Sequence, residues 1–292
     1  MKLAIGIDTG GTYTDAVLYD FETKKILHAA KALTTKNDLC VGIGNALDAL
    51  PDEHFKEVRM LSLSTTLATN ACVEGKGGAA KLVFFNGDKD ILKKYGAEYG
   101  LPPVGEILVE PCHTDISGQI DAYPDWEKFE ADVRENCRGL DGIGVIELYS
   151  FKNGAVIEKE AKERIAKIAD IPVTCGYELF REPNSLQRGA GTLLNAGLYP
   201  VIEDFLRAVR RAMQKRGIDA PVVIMRSDGS LMTEEFARKH PVETLLCGPA
   251  ASVAGGYGLS REKNSVIVDM GGTTTDIAIV RGGVPVRAEG GV

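Results

Sequence analysis

The chain carries the same acidic, glycine- and threonine-rich turn twice. The first copy is DTGGTYTDAVL at residues 8–18, and the second is DMGGTTTDIAI at residues 269–279. Six of the eleven aligned positions are identical, and each copy follows a short apolar run, at 3–7 and at 265–268. An apolar run, a glycine pair and a second β-prone run predict two strands joined by a tight turn.

The residue types in these turns suit a phosphate group with its metal ion. Glycines without a Cβ let backbone N–H groups approach an anion closely, and threonines add hydroxyl donors. Asp8 and Asp269 repel phosphate directly, but they become useful when Mg²⁺ lies between, usually through water. Two such turns that face each other would hold a β/γ-phosphate from both sides. The expected phosphate-binding residues are Gly10, Gly11, Thr12, Thr14, Gly271, Gly272, Thr273 and Thr275.

An ordinary pair of β-hairpins is the competing interpretation. Hairpin geometry requires only the glycines, so the shared aspartates and threonines favour a functional role. Thr14 and Thr275 fit either a ligand or a plain strand residue. Asp15 and Asp276 are either catalytic or support the metal site without touching the metal. The alternative is that each caps nearby backbone N–H groups at the end of its strand. Other nucleotide motifs are absent, since EGKGG at 74–78 lacks the Ser or Thr that follows the lysine of a P-loop.

Composition excludes several classes of partner. The net charge of −7 over 292 residues provides no basic footprint for nucleic acid. The sequence contains no uninterrupted apolar run of membrane-spanning length, and Asp8 interrupts the first apolar run too early for a signal peptide. The six scattered cysteines fit neither a CxxC zinc site nor a disulfide scaffold, so we expect reduced thiols in a cytoplasmic protein.

Strand and helix patterns alternate along the chain, which is typical of an α/β protein. Asn37 is the predicted N-cap of a helix over 37–50, and a helix is also predicted over 246–259. The remaining long helices are predicted at 125–136, 156–169, 184–196 and 199–216.

The two turns resemble the phosphate-1 and phosphate-2 hairpins of the actin, sugar kinase and Hsp70 ATPase superfamily. The segment GPAASVAGGYG at 248–258 is similar to the helix that connects the two lobes in that superfamily. Hsp70-type chaperones carry a glutamate where this chain has Gly248, so a role of that glutamate does not carry over.

Within the superfamily, the chain resembles the N-terminal part of the hydantoinase A/5-oxoprolinase family. The similarity runs through most of the chain, and its further segments are TTLATNACVEGKGG (65–78), GYELFREPNSLQRGAGTLLNAGL (176–198), MRSDGSLM (225–232) and PVETLLCGPAASVAGG (241–256). Two departures stand out. Leu63-Ser64 replaces the usual His-Gly, and the segment 227–230 reads Ser-Asp-Gly-Ser in place of Ser-Asn-Gly-Gly.

The resemblance implies an enzyme that uses ATP and Mg²⁺ to phosphorylate the oxygen of a cyclic amide such as a lactam or hydantoin before ring opening. A small-molecule kinase of the same superfamily, and a nucleotide-switched binding module, are the alternatives. The expected catalytic residues are Asp8, Asp269 and Asp276, and Asp8 and Asp269 are also the expected metal residues. The sequence leaves open whether the chain forms homo-oligomers or pairs with a second enzyme subunit.

The substrate residues are expected on two loops. Thr65, Thr66 and Asn70 follow a predicted strand, where ligands bind in open α/β sheets, although a threonine there also suits a helix cap. Asp228 fits either a substrate contact or a plain turn residue. Arg181 and Arg188 are candidates for a substrate carboxylate, with surface ion pairs as the alternative.

The resemblance also predicts the domain organisation. Residues 1–75 and 180–262 would form a first RNase H-like (actin-like ATPase) lobe, 76–180 an α/β insertion, and 264–292 the start of a second similar lobe. The adenine-binding segment of the superfamily lies further along, so we expect a truncated chain that by itself is inactive and binds ATP weakly or not at all. Tight binding of Mg-ATP to this chain in isothermal titration would contradict that expectation.

Overall fold

The computed structural model describes residues 2–271 and 275–286. The chain divides into two compact units. Unit 1 comprises Met1–Val73, Ile202–Arg238 and Glu243–Val292, and unit 2 comprises Glu74–Val201 and Lys239–Val242. The second unit therefore includes residues 181–201, which the sequence assigned to the first lobe. The assignment of 264–292 to a second lobe stays a prediction.

The elements alternate as the sequence patterns predict. The first part contains β1 (Leu3–Thr9), β2 (Tyr13–Asp20), β3 (Lys25–Leu33), α1 (Leu39–Asp48), β4 (Val58–Thr65) and α2 (Leu67–Glu74). The middle part contains β5 (Ala80–Phe85), α3 (Lys89–Tyr95), β6 (Leu108–Glu110), β7 (His113–Thr114), β8 (Ile120–Ala122), α4 (Trp126–Asn136), β9 (Gly142–Glu147), α5 (Ser150–Asn153), α6 (Val156–Ile168), β10 (Val173–Cys175) and α7 (Gly176–Leu179). The last part contains α8 (Ser185–Gln214), β11 (Val222–Met225), β12 (Leu231–Thr233), α9 (Glu234–Lys239), α10 (Cys247–Ser260), β13 (Ser265–Met270), β14 (Thr275–Arg281) and β15 (Val284–Pro285).

Unit 1 is built on a six-stranded sheet in the order β12-β11-β4-β1-β2-β3. Strands β1, β2 and β3 form an antiparallel meander, while β4 runs parallel to β1 and β11 parallel to β4. Successive residues of a strand point to opposite faces. Strand β1 accordingly buries Leu3, Ile5 and Ile7, and it leaves Gly6 and Asp8 half-buried on the other face. The first aspartate of the motif thus lies where a ligand can reach it.

The second copy of the motif also forms a hairpin. Strands β13, β14 and β15 make a three-stranded antiparallel sheet, in which Asp269 pairs with Asp276. Helix α10 packs against β13, and a Cβ on Gly256 would come within 2.9 Å of the Ile267 side chain. Glycine at 256 therefore permits this close approach.

Unit 2 is a three-layer α/β structure around a parallel sheet in the order β10-β9-β5-β6. Adjacent residues Phe84 and Phe85 point to opposite faces and anchor two separate apolar clusters. Phe85 packs with Phe129 and Trp126, at ring-centroid distances of 5.3 and 6.0 Å. Trp126 is the single tryptophan of the chain, so its fluorescence reports on this unit.

Two local predictions are corrected. The predicted helices at 184–196 and 199–216 are one helix of 30 residues, α8, with Pro200 inside it. Proline removes one helical N–H, and just before it the carbonyl of Gly197 accepts a bond of 2.7 Å from Gly78 N–H. Asp38 rather than Asn37 caps α1, and its carboxylate accepts from the amide of Cys40.

Arg188 is a structural residue, so the prediction that it binds a substrate carboxylate is wrong. Only 1% of its surface is exposed. Its guanidinium donates to Ser150 Oγ at 2.8 Å and to the carbonyls of Glu147 and Leu148 at 2.9 and 2.8 Å. Buried Glu158 lies 3.7 Å away and accepts from the amides of Glu147 and Tyr177. The network fixes the turn after β9.

The six cysteines are free thiols, as expected. A helix with the length and apolar character that a bilayer span requires is absent from residues 2–271 and 275–286.

We predict that Arg188→Ala destabilises unit 2 by about 3 kcal/mol or more, because it leaves the Glu158 carboxylate buried without its cation. Urea unfolding followed by Trp126 fluorescence measures this loss. The control is Arg181→Ala, which removes an exposed arginine from the same segment. Equal transition midpoints for the two variants would contradict the prediction.

Candidate functional site

The first turn is closed by its own backbone and supported by the residue after β3. Gly10 N–H donates to Tyr13 O at 2.9 Å, and Thr34 N–H donates to Thr12 O at 2.9 Å. The Thr34 hydroxyl donates to Gly10 O at 2.9 Å and lies 3.0 Å from the Thr14 hydroxyl. Thr14 is fully buried and serves as support, whereas Thr12 is exposed at the tip.

The glycines of the turn leave space that side chains would fill. A Cβ on Gly11 would lie 3.3 Å from Asn70 Nδ2, and one on Gly10 would lie 3.1 Å from Tyr13 O. The amide of Asn70, in α2, is thus next to the turn. The structure brings together two groups of predicted residues that are separated by more than 50 positions.

Asp8 is half-buried at the end of β1. It lies opposite Asp15 on β2 and opposite Ser64 on β4. Burial raises the pKa of Asp8 above its ordinary value, the Ser64 hydroxyl lowers it, and the charges of Asp15 and Asp269 raise it further. Ser64 donates to Asp8 Oδ1 at 2.6 Å. Asp15 has its own cation, since Lys31 Nζ lies 2.8 Å from its carboxylate.

The second turn repeats this arrangement in part. Asp269 lies opposite Asp276, as Asp8 lies opposite Asp15. The Ser252 hydroxyl, from α10, donates to Asp269 Oδ2 at 2.5 Å. Gly271 and Thr275 are exposed at the two sides of the turn, and the predicted Gly272 and Thr273 lie outside the described residues.

The loop after β4 is held by Thr65. Its hydroxyl donates to Thr9 O at 3.0 Å and accepts from the amide of Leu67 at 3.1 Å. Thr65 is fully buried and takes the helix-capping role that was one of its two predicted roles. Thr66 and Asn70 remain half-buried and bond to each other at 3.2 Å between Thr66 Oγ1 and Asn70 Nδ2.

A buried thiol joins this loop to α10. Cys247 Sγ accepts from Thr65 N–H at 3.3 Å and lies 3.1 Å from Thr65 O. A Cβ on the next residue, Gly248, would be 3.3 Å from Thr66 Cγ2. This side of the helix therefore packs closely on the loop, and a side chain at 248 would press on Thr66.

Asp228 stabilises its own turn. Its Oδ1 accepts from both the amide and the hydroxyl of Ser230, at 2.9 and 2.6 Å. Arg226 lies 3.7 Å from the other oxygen and bonds Glu243 at 2.7 Å. Asp228 therefore acts as a turn residue, which was one of its two predicted roles. A substrate role for Asp228 stays a prediction.

A cavity of about 290 Å³ opens beside Asp8, with Asp15, Leu63, Ser64 and Met225 among its lining residues. Within the described ranges, no group of three His, Cys, Asp or Glu residues is arranged to hold a metal ion unaided. Mg²⁺ commonly uses one or two carboxylates together with substrate phosphates and water. Asp8 and Asp269 fit that kind of site, in which the cation arrives with a nucleotide.

Unit 2 has a larger cavity, of about 620 Å³, beyond the carboxyl ends of β5 and β9. The predicted site residues do not line it. Two of its aspartates have structural tasks, because Asp88 caps α3 and Asp115 accepts three bonds within its own turn. These two carboxylates are therefore explained by local structure.

Comparison with known families identifies the chain as a member of the hydantoinase/oxoprolinase family. The profile of the hydantoinase/oxoprolinase N-terminal region matches residues 4–169, and the hydantoinase/oxoprolinase profile matches residues 188–292. The predicted family is confirmed.

Several curated relatives match over nearly the whole chain. Caprolactamase subunit alpha of Pseudomonas jessenii is 27% identical over 96% of this chain and 43% of its own length. The acetophenone carboxylase gamma subunit of Aromatoleum aromaticum is 27% identical over 95% of this chain and 42% of its own length. 5-oxoprolinase 1 of Arabidopsis thaliana is 26% identical over 95% of this chain and 25% of its own length. The chain thus spans less than half the length of these relatives.

Two solved structures share the fold. An acetone carboxylase in its nucleotide-free form superposes with a TM-score of 0.76 at 21% identity, over 97% of this chain and 44% of the other. The ATP-dependent caprolactamase from Pseudomonas jessenii gives a TM-score of 0.75 at 25% identity, over 94% and 43%. Together with the strand order of unit 1, this confirms the α/β, actin-like ATPase fold class.

We predict that Asp8→Asn stabilises the metal-free protein at neutral pH, by an amount on the order of 1 kcal/mol. The pKa of Asp8 is raised in the folded state, so the ionised carboxylate costs stability once the pH exceeds the folded-state pKa. Below the ordinary value of 3.8, Asp8 is protonated in both states and the gain disappears. Thermal unfolding in EDTA at the two pH extremes measures the effect.

The control is Asp219→Asn, at an exposed aspartate, which we expect to change the melting temperature at neither pH. A gain for Asp8→Asn that persists unchanged in acid would show that the carboxylate charge is not its cause.

Proposed function

We propose that this chain is the phosphate-binding portion of an ATP-dependent enzyme that opens cyclic amides. The observation that carries the proposal is the pair of hairpins, each with two facing aspartates at its turn. The family match supports it, as do relatives named caprolactamase and 5-oxoprolinase. The kinase and switch alternatives find no such support, and Gly248 packs against Thr66 where a chaperone-type glutamate would stand.

The overall reaction consumes one ATP and two waters for each ring opened. The γ-phosphoryl group passes to the amide oxygen, which turns a poor leaving group into a good one. Water then adds at the activated carbon, and the C–N bond breaks to give an acyl phosphate with the ring nitrogen as the leaving group. A second water hydrolyses the acyl phosphate, so an open-chain carboxylate, ADP and phosphate result. When bound, Mg²⁺ would neutralise charge on the phosphates.

In this proposal, each hairpin residue has a defined task. The Gly10, Gly11 and Gly271 backbone and the Thr12 hydroxyl would contact phosphate oxygens. Gly272, Thr273 and Thr275 would act on the second side. Asp8 and Asp269 would orient the waters of Mg²⁺, with Asp276 beside them as a further catalytic carboxylate. Thr66 and Asn70, next to the first turn, and Asp228 would form the substrate end, with Thr65 holding the loop.

The enzyme would act with a second subunit. Relatives named as subunits, caprolactamase alpha and acetophenone carboxylase gamma, support this arrangement. We place it in the cytoplasm, where thiols stay reduced, and the six free cysteines agree with that compartment.

The test uses the full-length protein together with any subunit that copurifies. Caprolactam, 5-oxoproline and hydantoin are each incubated with Mg-ATP, and phosphate release and ring opening are followed in parallel. We expect the two to appear in equal amounts for at least one of these cyclic amides. Asp269→Asn should reduce the rate by roughly 100-fold, whereas Asp219→Asn should leave it unchanged.

Other results point elsewhere. An intact, phosphorylated product would favour a kinase. Carbon from bicarbonate in the product would favour a carboxylase, the activity named for two of the relatives. ATP hydrolysis that responds only to a protein partner would favour a switch.

A further inference from the structure

Each of the two leading aspartates accepts a hydrogen bond from a serine hydroxyl. Ser64 Oγ donates to Asp8 Oδ1 at 2.6 Å, and Ser252 Oγ donates to Asp269 Oδ2 at 2.5 Å. The two serines come from different elements, the end of β4 and the second turn of α10. Neither serine belongs to the repeated motif, so the repeat of the motif does not explain the repeat of the contact.

Bonds between a hydroxyl and an ionised carboxylate at this distance are strong, since the charge assists them. Each bond occupies one carboxylate oxygen and restricts rotation of the group. The second oxygen is then left in a fixed direction. Fixed oxygens matter for Mg²⁺, which requires near-ideal octahedral geometry.

Strand β4 pairs with β1 through its backbone, with Ser64 opposite Asp8. Ser62 lies two residues earlier on the same strand, opposite Gly6 of β1, and its hydroxyl makes no hydrogen bond within the described residues. Ser64 is 6% exposed and packs at the end of the strand. Its hydroxyl serves Asp8.

The hydrogen bond from Ser64 also compensates the negative charge of Asp8. The negative charges of Asp15 and Asp269 raise the pKa of Asp8. The nearby cation, Lys31, forms its ion pair with Asp15. The serine hydroxyl is therefore the nearest donor that compensates the Asp8 charge until a cation arrives.

We propose that Ser64 and Ser252 are positioning residues that orient Asp8 and Asp269 toward the cation of a bound nucleotide. This inference rests on the proposed function. Outer partners of this kind typically change metal affinity by 10- to 100-fold. They act through the aspartates and do not touch the substrate.

The test measures binding of Mn²⁺, as a spectroscopic substitute for Mg²⁺, to the full-length protein with a non-hydrolysable ATP analogue. Electron paramagnetic resonance gives the dissociation constant of the ion. We expect Ser64→Ala and Ser252→Ala each to raise that constant by about 10- to 100-fold. Ser64→Thr and Ser252→Thr, which keep the hydroxyl, should restore most of the affinity, and Ser62→Ala should not change it.

Activity provides a second, separable measurement. In the alanine variants the Mg²⁺ concentration for half-maximal rate should rise, while the rate at saturating Mg²⁺ should change much less. If Ser64→Ala fails to fold, Ser252→Ala, at a half-buried position of α10, decides the question.

The outcomes separate the two proposals. A wild-type protein that binds no Mn²⁺-nucleotide overturns the proposed function, and the positioning role with it. A wild-type protein that binds tightly, with alanine variants that bind equally well, overturns the positioning role alone. Weakened binding that threonine does not restore also overturns it, since the loss would then come from packing.

Discussion

Crowding of negative charge at Asp8 is the constraint on which the first unit depends. Its carboxylate is half-buried and faces Asp15 across the hairpin, and the charge of Asp269 raises its pKa. A protein tolerates such an arrangement only when nearby groups compensate it or when a ligand does. Ser64 compensates Asp8 and Lys31 compensates Asp15. The carboxylate charge of Asp8 is thus only partly compensated, and it lies next to a cavity. Such a charge attracts a ligand that carries a cation.

Several hydrogen bonds from neighbouring elements hold the backbone around the turn. Thr65 contacts both Thr9 O, at the end of β1, and the first amide of α2. The Cys247 thiol holds the Thr65 backbone, so the start of α10 is fixed to the end of β4. Thr34 ties the tip of the turn to the end of β3. These bonds, together with the bond from Gly10 N–H to Tyr13 O, fix the conformation of the glycine turn.

Sequence reasoning predicts this site well where the signal is local. Two glycines between apolar runs predict each hairpin, and Thr65 before a short helix predicts its cap, because neighbouring residues decide both. The role of Ser64 cannot be predicted in this way. Its contact with Asp8, 56 positions earlier in the sequence, depends on the parallel pairing of β1 with β4. The role of Arg188 cannot be predicted for a different reason. Arginines are usually exposed, and only the buried partner Glu158 and three further acceptors explain its place in the interior. Pro200 normally ends a helix, and the tertiary context of α8 overrides that preference.

The buried carboxylates of the chain differ in how many hydrogen bonds they accept. In unit 2, the fully buried carboxylates Glu147 and Glu158 accept several hydrogen bonds each, and Arg188 lies next to Glu158. Burial nevertheless raises the pKa of Glu158, and in the same unit Oε1 of buried Glu110 has no hydrogen-bond partner among the described residues. In unit 1, Asp8 has one hydroxyl and two repulsive neighbours, and its pKa is raised. Asp8 differs from the network carboxylates of unit 2 because it borders a cavity and accepts a single side-chain hydrogen bond, and both features agree with the role proposed for it.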